Sequence, residues 1–400
     1  MAEKRIHLFV DAHCLDKEYQ GARTFVKELY AVLRQKKDIH FFFAAHDVKK
    51  LQETFPRAEN ITLLSYRTRS AAVRLLIEIP RLVAKHKIDV AHFQYFTPLL
   101  KNCRQVVTIH DVLFCDFPDS FPFFYRWVRR ILFSRSAKRA ESVTTVSGFS
   151  QQAIHRHFSI ALNKIQVIPN GVHARFFEPY DKQVCKQLVK EKFGFDSYLL
   201  CVSRVEPRKN HWLLVKAFTE LKLYEEEYHL ILIGYRSLPA PELETALSAL
   251  PANIRRYIHF HEQVETEDLL QLYRAADVFI YPSLAEGFGI PPLEAGAACV
   301  PVICSSATAM QAFTFFAPFH VEPSSYAALK TCMEKAITSP LSETSLKNIA
   351  AKIRQTYSWE TAAEQFYQLI KKTVTDIELT DQKTFEKNQE NTKVIRTATS

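Results

Sequence analysis

The sequence predicts an α/β protein built as two tandem units, each a parallel sheet with crossover helices. Three observations carry this. The chain has 400 residues, more than one hydrophobic core usually fills. Short apolar runs rich in β-formers alternate with longer segments of helical period. The alternation then restarts near Tyr198, after a stretch from Val167 to Lys182 (VIPNGVHARFFEPYDK) in which Pro, Asn and Gly break both periods.

In the first unit, IHLFVDA reads as a strand. GARTFVKELYAVLRQK follows as an amphipathic helix, with Phe25, Leu29 and Leu33 four apart. HFFFAA, DVAHFQ, QVVTIHD and SVTTVS are the further strands. In the second unit YLLCVSR is the opening strand and NHWLLVKAFTEL its helix. HLILIG, IHFHEQ, ADVFIYPS and VPVICSS continue the sheet. From 374 to 400 the chain is polar and aperiodic, which predicts a disordered tail.

Composition narrows the function classes. The hydrophobic share of 47% is ordinary for a globular chain, and no window approaches the roughly 20 apolar residues of a membrane span. MAEKRIHLFVDAHC has neither a signal-peptide apolar region nor a cleavage site, so a cytoplasmic protein is expected. Eight cysteines form no Cys-x-x-Cys pair, and most lie in apolar runs such as LLCVS, which predicts free thiols rather than disulfides or zinc. The net charge of +9 suggests an anionic partner: a nucleotide, a nucleic acid or an anionic membrane.

Only eight glycines occur, and Gly287, Gly289 and Gly296 crowd the stretch SLAEGFGIPPLEAGAA. It leaves the C-terminal end of a strand, where open α/β sheets bind ligands. Gly287 and Gly289 let backbone N–H groups converge, and Pro291 and Pro292 suit a first helical turn. The product is a phosphate site at a helix N-terminus. Glu286 and Glu294 should point past the phosphate to hydroxyls, since a carboxylate accepts two hydroxyl hydrogen bonds well. The plainer reading makes Glu294 a first-turn charge favoured by the helix dipole. In CVSRVEPRKN, Arg204, Arg208 and Lys209 cluster at another strand-to-helix turn. Two cations there make a diphosphate clamp, while Arg208 reads as a solvated loop charge. In VVTIHDV, His110 can donate to a sugar hydroxyl or phosphate, or can be a satisfied loop histidine.

Taken together these segments resemble the large retaining glycosyltransferase family of GT-B fold, of the glycogen-synthase-like and mannosyltransferase-like kind (family 4 type). EGFGIPPLE matches its E-x7-E motif, and SRVEPRKN, TIHDVLFCDFP, TVSGFS, KIQVIPNGV and AADVFIYPSLAEGFG match it in order. YSWETAAEQFYQLI looks like the family's C-terminal helix, which crosses back to the first domain. The resemblance runs from about residue 5 to 372.

It implies two Rossmann-like domains facing across a cleft. The acceptor-side domain would span 1–172 and be rejoined by the helix at 358–373; the nucleotide-sugar domain would span 173–357. By motif position, Arg204 and Lys209 would grip the donor diphosphate with backbone N–H groups of Gly287, Phe288, Gly289 and Ile290. Glu294 would bind the ribose, Glu286 the transferred sugar, and His110 that sugar's hydroxyls. Gly21 would let the first helix approach the donor phosphate or acceptor, and the base would meet backbone near Gln263 and Val264. The resemblance implies a GDP- or UDP-sugar donor, with mannose slightly favoured, and a glycan or lipid-linked acceptor in cell-surface polysaccharide or glycolipid synthesis. No cofactor and no metal are expected, and the chain contains no Asp-x-Asp.

The chain departs from the family after the E-x7-E helix, where TAMQAFTFFAPFHVEP replaces a Pro-Glu and a Gly-Asp-Ala run. Phe121 to Arg139 (FPFFYRWVRRILFSRSAKR) is a basic amphipathic helix. Arg126, Arg129 and Arg130 lie on one face and Phe124, Trp127, Val128 and Ile131 on the other. It reads either as a core helix with a solvated basic face or as peripheral contact with an anionic membrane, on the inner face of the cell membrane. Three other functions compete. An oxidoreductase would need a G-x-G-x-x-G after the first strand, where only Gly21 stands. A catalytically silent sugar-nucleotide binder is the alternative that site residues alone do not exclude. Nucleic-acid binding has no recognisable module.

Overall fold

The computed structural model describes residues 5–16 and 21–375. The expected tail falls almost entirely outside them.

Among the described residues, thirteen strands make two wholly parallel sheets. The first holds β1 (Ile6–Asp11), β2 (Ile39–Ala45), β3 (Ile61–Ser65), β4 (Val90–Gln94), β5 (Arg104–Thr108), β6 (Ser142–Thr145) and β7 (Ile165–Val167), in the order β3-β2-β1-β4-β5-β6-β7. The second holds β8 (Tyr198–Val202), β9 (His229–Ile233), β10 (Ile258–His261), β11 (Val278–Tyr281), β12 (Val302–Ser305) and β13 (His320–Val321), in the order β10-β9-β8-β11-β12-β13. Strand order reverses between β1 and β4 in one sheet and between β8 and β11 in the other. Such switch points open a crevice at the strands' C-terminal ends.

The helix Gly21–Leu33 forms because Ala22, Phe25, Val26, Leu29, Tyr30 and Leu33 make one apolar stripe, and all are buried. That stripe belongs to a core that continues from the first sheet (Val10, Phe43) into the second (Leu200, Phe279) and onto the helix over 359–375 (Phe366, Ile370). Each sheet's outer face has a separate core. The joint between sheets is tied down at Val172, whose N–H donates to the Tyr357 carbonyl at 2.9 Å. Gly171 is required there, because a Cβ would lie 2.3 Å from the Trp359 backbone nitrogen.

Two differences from expectation stand out. Strands β3, β7 and β13 are additional to those read from the sequence, and all three are edge strands. The helix Phe123–Arg139 is not a core helix with its basic side in water. It packs through Phe133, Ser136 and Ala137, with Arg126 and Arg129 half-buried, and turns its apolar side outward.

Candidate active site

Each switch-point strand of the second sheet delivers one half of a charged cluster. The segment after β8 carries Arg204, Glu206, Arg208 and Lys209, and the segment after β11 carries Glu286. Lys209 and Glu286 are both buried and form a close ion pair. The Lys209 ammonium also donates to the Tyr281 hydroxyl at 3.0 Å, which leaves one of its three N–H donors. Glu286 Oε1 further accepts from Tyr281 at 3.0 Å and Ser283 at 2.8 Å, and Oε2 from Arg208 at 3.2 Å. Burial would raise the Glu286 pKa, but Lys209 and Arg208 outweigh it and hold the carboxyl down to about 2. It is therefore a fixed anion. Arg204 differs, with a side chain 44% exposed and its guanidinium 3.8 Å from Glu206.

The loop after Glu286 feeds the helix Ile290–Ala297. Gly289 stands at its N-cap with φ +101°, a conformation side chains resist, and a Cβ there would reach Met310 at 3.0 Å. Among the described residues, the backbone N–H groups of Gly287, Phe288, Gly289 and Ile290 donate to nothing. Four unpartnered donors in sequence at a helix start can hold an anion. The Phe288 side chain is not part of it; it is buried against Phe313 and Tyr357. The loop is gripped from the first domain. A Cβ on Gly287 would lie 2.7 Å from Asp111 Cβ, and the Gly287 carbonyl accepts from Ser147 Oγ at 2.7 Å and Ser150 Oγ at 3.3 Å.

His110 follows β5 and enters the same seam beside Asp111. A chain of hydrogen bonds lies behind it, and His92 Nε2 also meets Thr108 Oγ1 at 2.7 Å. Tyr30 pairs with His92 Nδ1 at 2.7 Å, Gln94 Nε2 lies 3.2 Å from His92 Nε2, and Gln94 Oε1 lies 2.8 Å from His110 Nε2. With the Gln94 amide donating to His92, its oxygen accepts from His110 Nε2–H, so Nδ1 keeps a lone pair. Burial lowers the His110 pKa to about 4, so the ring is neutral. In that arrangement the neutral ring can accept a hydrogen bond from a hydroxyl at Nδ1.

Glu294 is the fifth residue of its helix, one turn later than expected, so the dipole reading loses force. Its Oε2 accepts from the Tyr273 hydroxyl at 3.0 Å, and burial raises its pKa to about 7. Gly21 opens its helix with nothing within 4 Å of where a Cβ would be. Val264 lies in the loop after β10, half-buried against the core, at the end of the sheet where Gly234 approaches Ser203.

Comparison with known proteins bears on this arrangement. Residues 19–176 match the family described as Glycosyltransferase Family 4, and residues 186–354 match Glycosyl transferases group 1. The chain belongs to the GT-B glycosyltransferases of the family 4 type. O-antigen chain mannosyltransferase B of Escherichia coli is 28% identical over 362 residues, covering 85% of this chain and 92% of that protein. O-antigen chain mannosyltransferase RfbU of Salmonella typhimurium is 33% identical over 234 residues, 58% of this chain and 59% of its own length. Sucrose-phosphate synthase from Thermosynechococcus elongatus shares the fold, with a TM-score of 0.73 at 19% identity over 93% of this chain and 100% of that one. Anabaena HepE, solved with UDP and glucose, shares it with a TM-score of 0.69 at 18% identity, over 92% of this chain and 100% of that one.

The transferase places several residues at its cleft that sequence reasoning missed. Arg208 is not a solvated charge. Its side chain is 14% exposed and bridges Glu206 at 2.6 Å and Glu286 at 3.2 Å. Ser147 and Ser150 were visible in TVSGFS, but nothing local says that their hydroxyls cross to another domain. The divergent segment is no open loop either. Thr308 Oγ1 accepts from the Glu286 N–H at 2.8 Å, and Met310 and Phe313 roof the glycine loop.

Proposed function

We propose that the protein moves a hexosyl group, with mannose favoured, from a nucleoside-diphosphate sugar to a glycan or lipid-linked acceptor. Anomeric configuration is retained and no metal is used, in cell-surface polysaccharide or glycolipid synthesis. The observation that carries this is the arc of four unpartnered N–H groups from Gly287 to Ile290, flanked by Lys209 and Arg204. A diphosphate seated there would meet backbone donors, one free ammonium proton and the half-exposed Arg204 guanidinium. Glu294 would accept the ribose hydroxyls, with the base beside Gln263 and Val264. Across the seam, His110 Nδ1 would accept from a sugar hydroxyl, and Glu286 would meet the sugar at the edge not taken by Lys209. Gly21 leaves room for the acceptor or donor phosphate at the start of the first helix.

Chemistry then needs little more. The bond from the anomeric carbon to the diphosphate oxygen breaks, and the departing charge falls on Arg204, Lys209 and the helix N-terminus. The acceptor oxygen enters on the same face and its proton passes to the leaving phosphate oxygen. Glu286 Oε1 is filled by Lys209, Tyr281 and Ser283, and Oε2 is held by Arg208 with one lone pair left, so the residue serves as a positioning anion rather than a covalent nucleophile. The seam at Gly287 excludes water from the reacting face. Mannose is favoured because the O-antigen relatives are named mannosyltransferases, and two further relatives, 25% and 27% identical, are named GDP-mannose-dependent.

Thermal unfolding with GDP, UDP and ADP tests the donor, followed by transfer from the matching sugar nucleotide. GDP should raise Tm and GDP-mannose should be consumed; a response to UDP alone would replace mannose by another hexose. EDTA should leave the rate unchanged, and strict loss on chelation would refute metal-free transfer.

A further inference from the structure

We propose that the outward face of the Phe123–Arg139 helix, with the corner at Leu99 and Leu100, docks on an anionic lipid bilayer. The helix turns its large apolar residues to solvent. Phe124 is 78% exposed, Phe123 66% and Trp127 57%, with Val128, Ile131 and Leu132 beside them. Positions 124, 127, 128 and 131 recur at helical spacing, so they form one continuous stripe. Soluble surfaces scatter single apolar residues but seldom align six large ones.

The stripe extends beyond the helix. Arg135, one turn after Ile131, donates to the carbonyls of Thr97, Pro98 and Leu99, each at 3.4 Å, and so fixes the corner at which Leu99 and Leu100 are exposed. Asn102 donates to the Pro80 carbonyl at 3.3 Å and ties the corner to the 71–85 segment, where Val73, Leu76 and Ile77 are also exposed. All three segments cover the same face of the first sheet, since Leu75, Phe96 and Phe133 share one core there.

Charge selects the occupant. From Phe121 to Arg139 there are six Lys or Arg residues and no Asp or Glu. Arg130, Lys138 and Arg139 are exposed at the margin of the stripe, as are Arg81 and Lys85 nearby. A second copy of the chain would set this cationic rim against itself. An anionic bilayer neutralises it, while phenyl and indole rings enter the headgroup boundary. The stripe also adjoins the cleft. Tyr125 stacks on Phe121 at 5.7 Å, and Phe121 lines a pocket of about 210 Å³ with Phe117, Trp212, Arg208 and Ala285, next to Glu286. A docked molecule would therefore hold its cleft mouth at the lipid surface.

Flotation of the full chain with vesicles of phosphatidylcholine, with and without phosphatidylglycerol, tests this and reads binding rather than transfer. The chain should float with the anionic vesicles and be released as salt rises. Phe124→Ser with Trp127→Ser, both at exposed positions, should keep the unfolding midpoint and lower the partition coefficient by ~10-fold or more. Arg130→Gln with Lys138→Gln and Arg139→Gln should lose the preference for anionic lipid. The proposal is overturned if neither vesicle binds, if binding ignores phosphatidylglycerol, or if the apolar double variant binds as well as the parent. It is equally overturned if sedimentation shows a dimer that the same double variant dissolves while vesicles bind nothing.

Discussion

Glu294 shows how much a single carboxyl depends on where it sits. Its partner is a neutral phenol, Tyr273, and burial lifts its pKa to about 7. The unfolded chain gives up this proton at an ordinary carboxyl pKa, so the folded state holds more protons between that value and about 7. The contribution of Glu294 to stability is therefore largest at low pH and is lost as pH rises through about 7. Ribose recognition should run the other way, because only the carboxylate accepts from two hydroxyls. Nucleotide affinity should strengthen as pH rises through about 7, and Glu294→Gln should flatten that dependence while weakening binding. Calorimetric titration at several pH values reads this directly; an unchanged slope in the variant would remove Glu294 from the ribose site. The Lys209–Glu286 pair behaves differently. Lys209→Ala leaves Arg208 as the paired cation of a buried anion otherwise held by the Tyr281 and Ser283 hydroxyls, and should cost about 3 kcal/mol in urea unfolding. It should also abolish transfer; transfer at the parent rate would remove Lys209 from the diphosphate site.

At the scale of elements, the glycine loop is a joint between domains as well as the proposed anion site. Its carbonyl at Gly287 is taken by Ser147 and Ser150, and its Cα approaches Asp111 too closely for a methyl group. Gly287→Ala should force the seam apart, at about 1–3 kcal/mol of strain if it stays shut. The expected result is a large drop in kcat with nucleotide affinity reduced far less, since the donor groups all belong to the second sheet. Equal losses in both would assign Gly287 to phosphate contact alone. This joint was only half legible in the sequence. EGFGIPPLE announces a loop and a helix start by residue type, but the partner serines lie about 140 positions earlier, and proximity of that kind is a property of the fold. The missed strands have a similar cause. Edge strands β3, β7 and β13 are paired on one side only, so their sequences need less of the apolar continuity that marked β1, β2 and β8. The Phe123–Arg139 helix kept two readings in the sequence for a different reason. Its period was plain, yet the period does not say whether the apolar side meets protein or another apolar phase.

At the scale of the molecule, the helix over 359–375 makes the two domains one mechanical unit. It leaves the second domain at Tyr357, crosses the joint at Gly171 and buries Phe366 against Tyr30 and His92, at 6.1 Å and 4.6 Å between ring centroids. Those two residues begin the hydrogen-bonded chain that reaches His110 through Gln94. Trp359 adds a second route, with its ring 6.1 Å from Phe25, which in turn stands edge-on to His110 at 5.0 Å. A helix from the far end of the chain therefore braces the first domain's side of the cleft. Trp359→Ala removes a buried indole at the joint and should cost about 3–5 kcal/mol of stability. Its effect on function should be selective. In the proposed site, nucleotide binding would rest on Arg204, Lys209, Glu294 and the glycine loop, none of which Trp359 touches, so affinity should hold at temperatures where the variant is folded. The proposed transfer would need His110 held against the sugar, so kcat should fall, and Trp359→Phe should restore much of it by refilling the contact with Phe25. A Trp359→Ala enzyme that is less stable but turns over at the parent rate would show that the helix braces the fold and leaves the cleft alone.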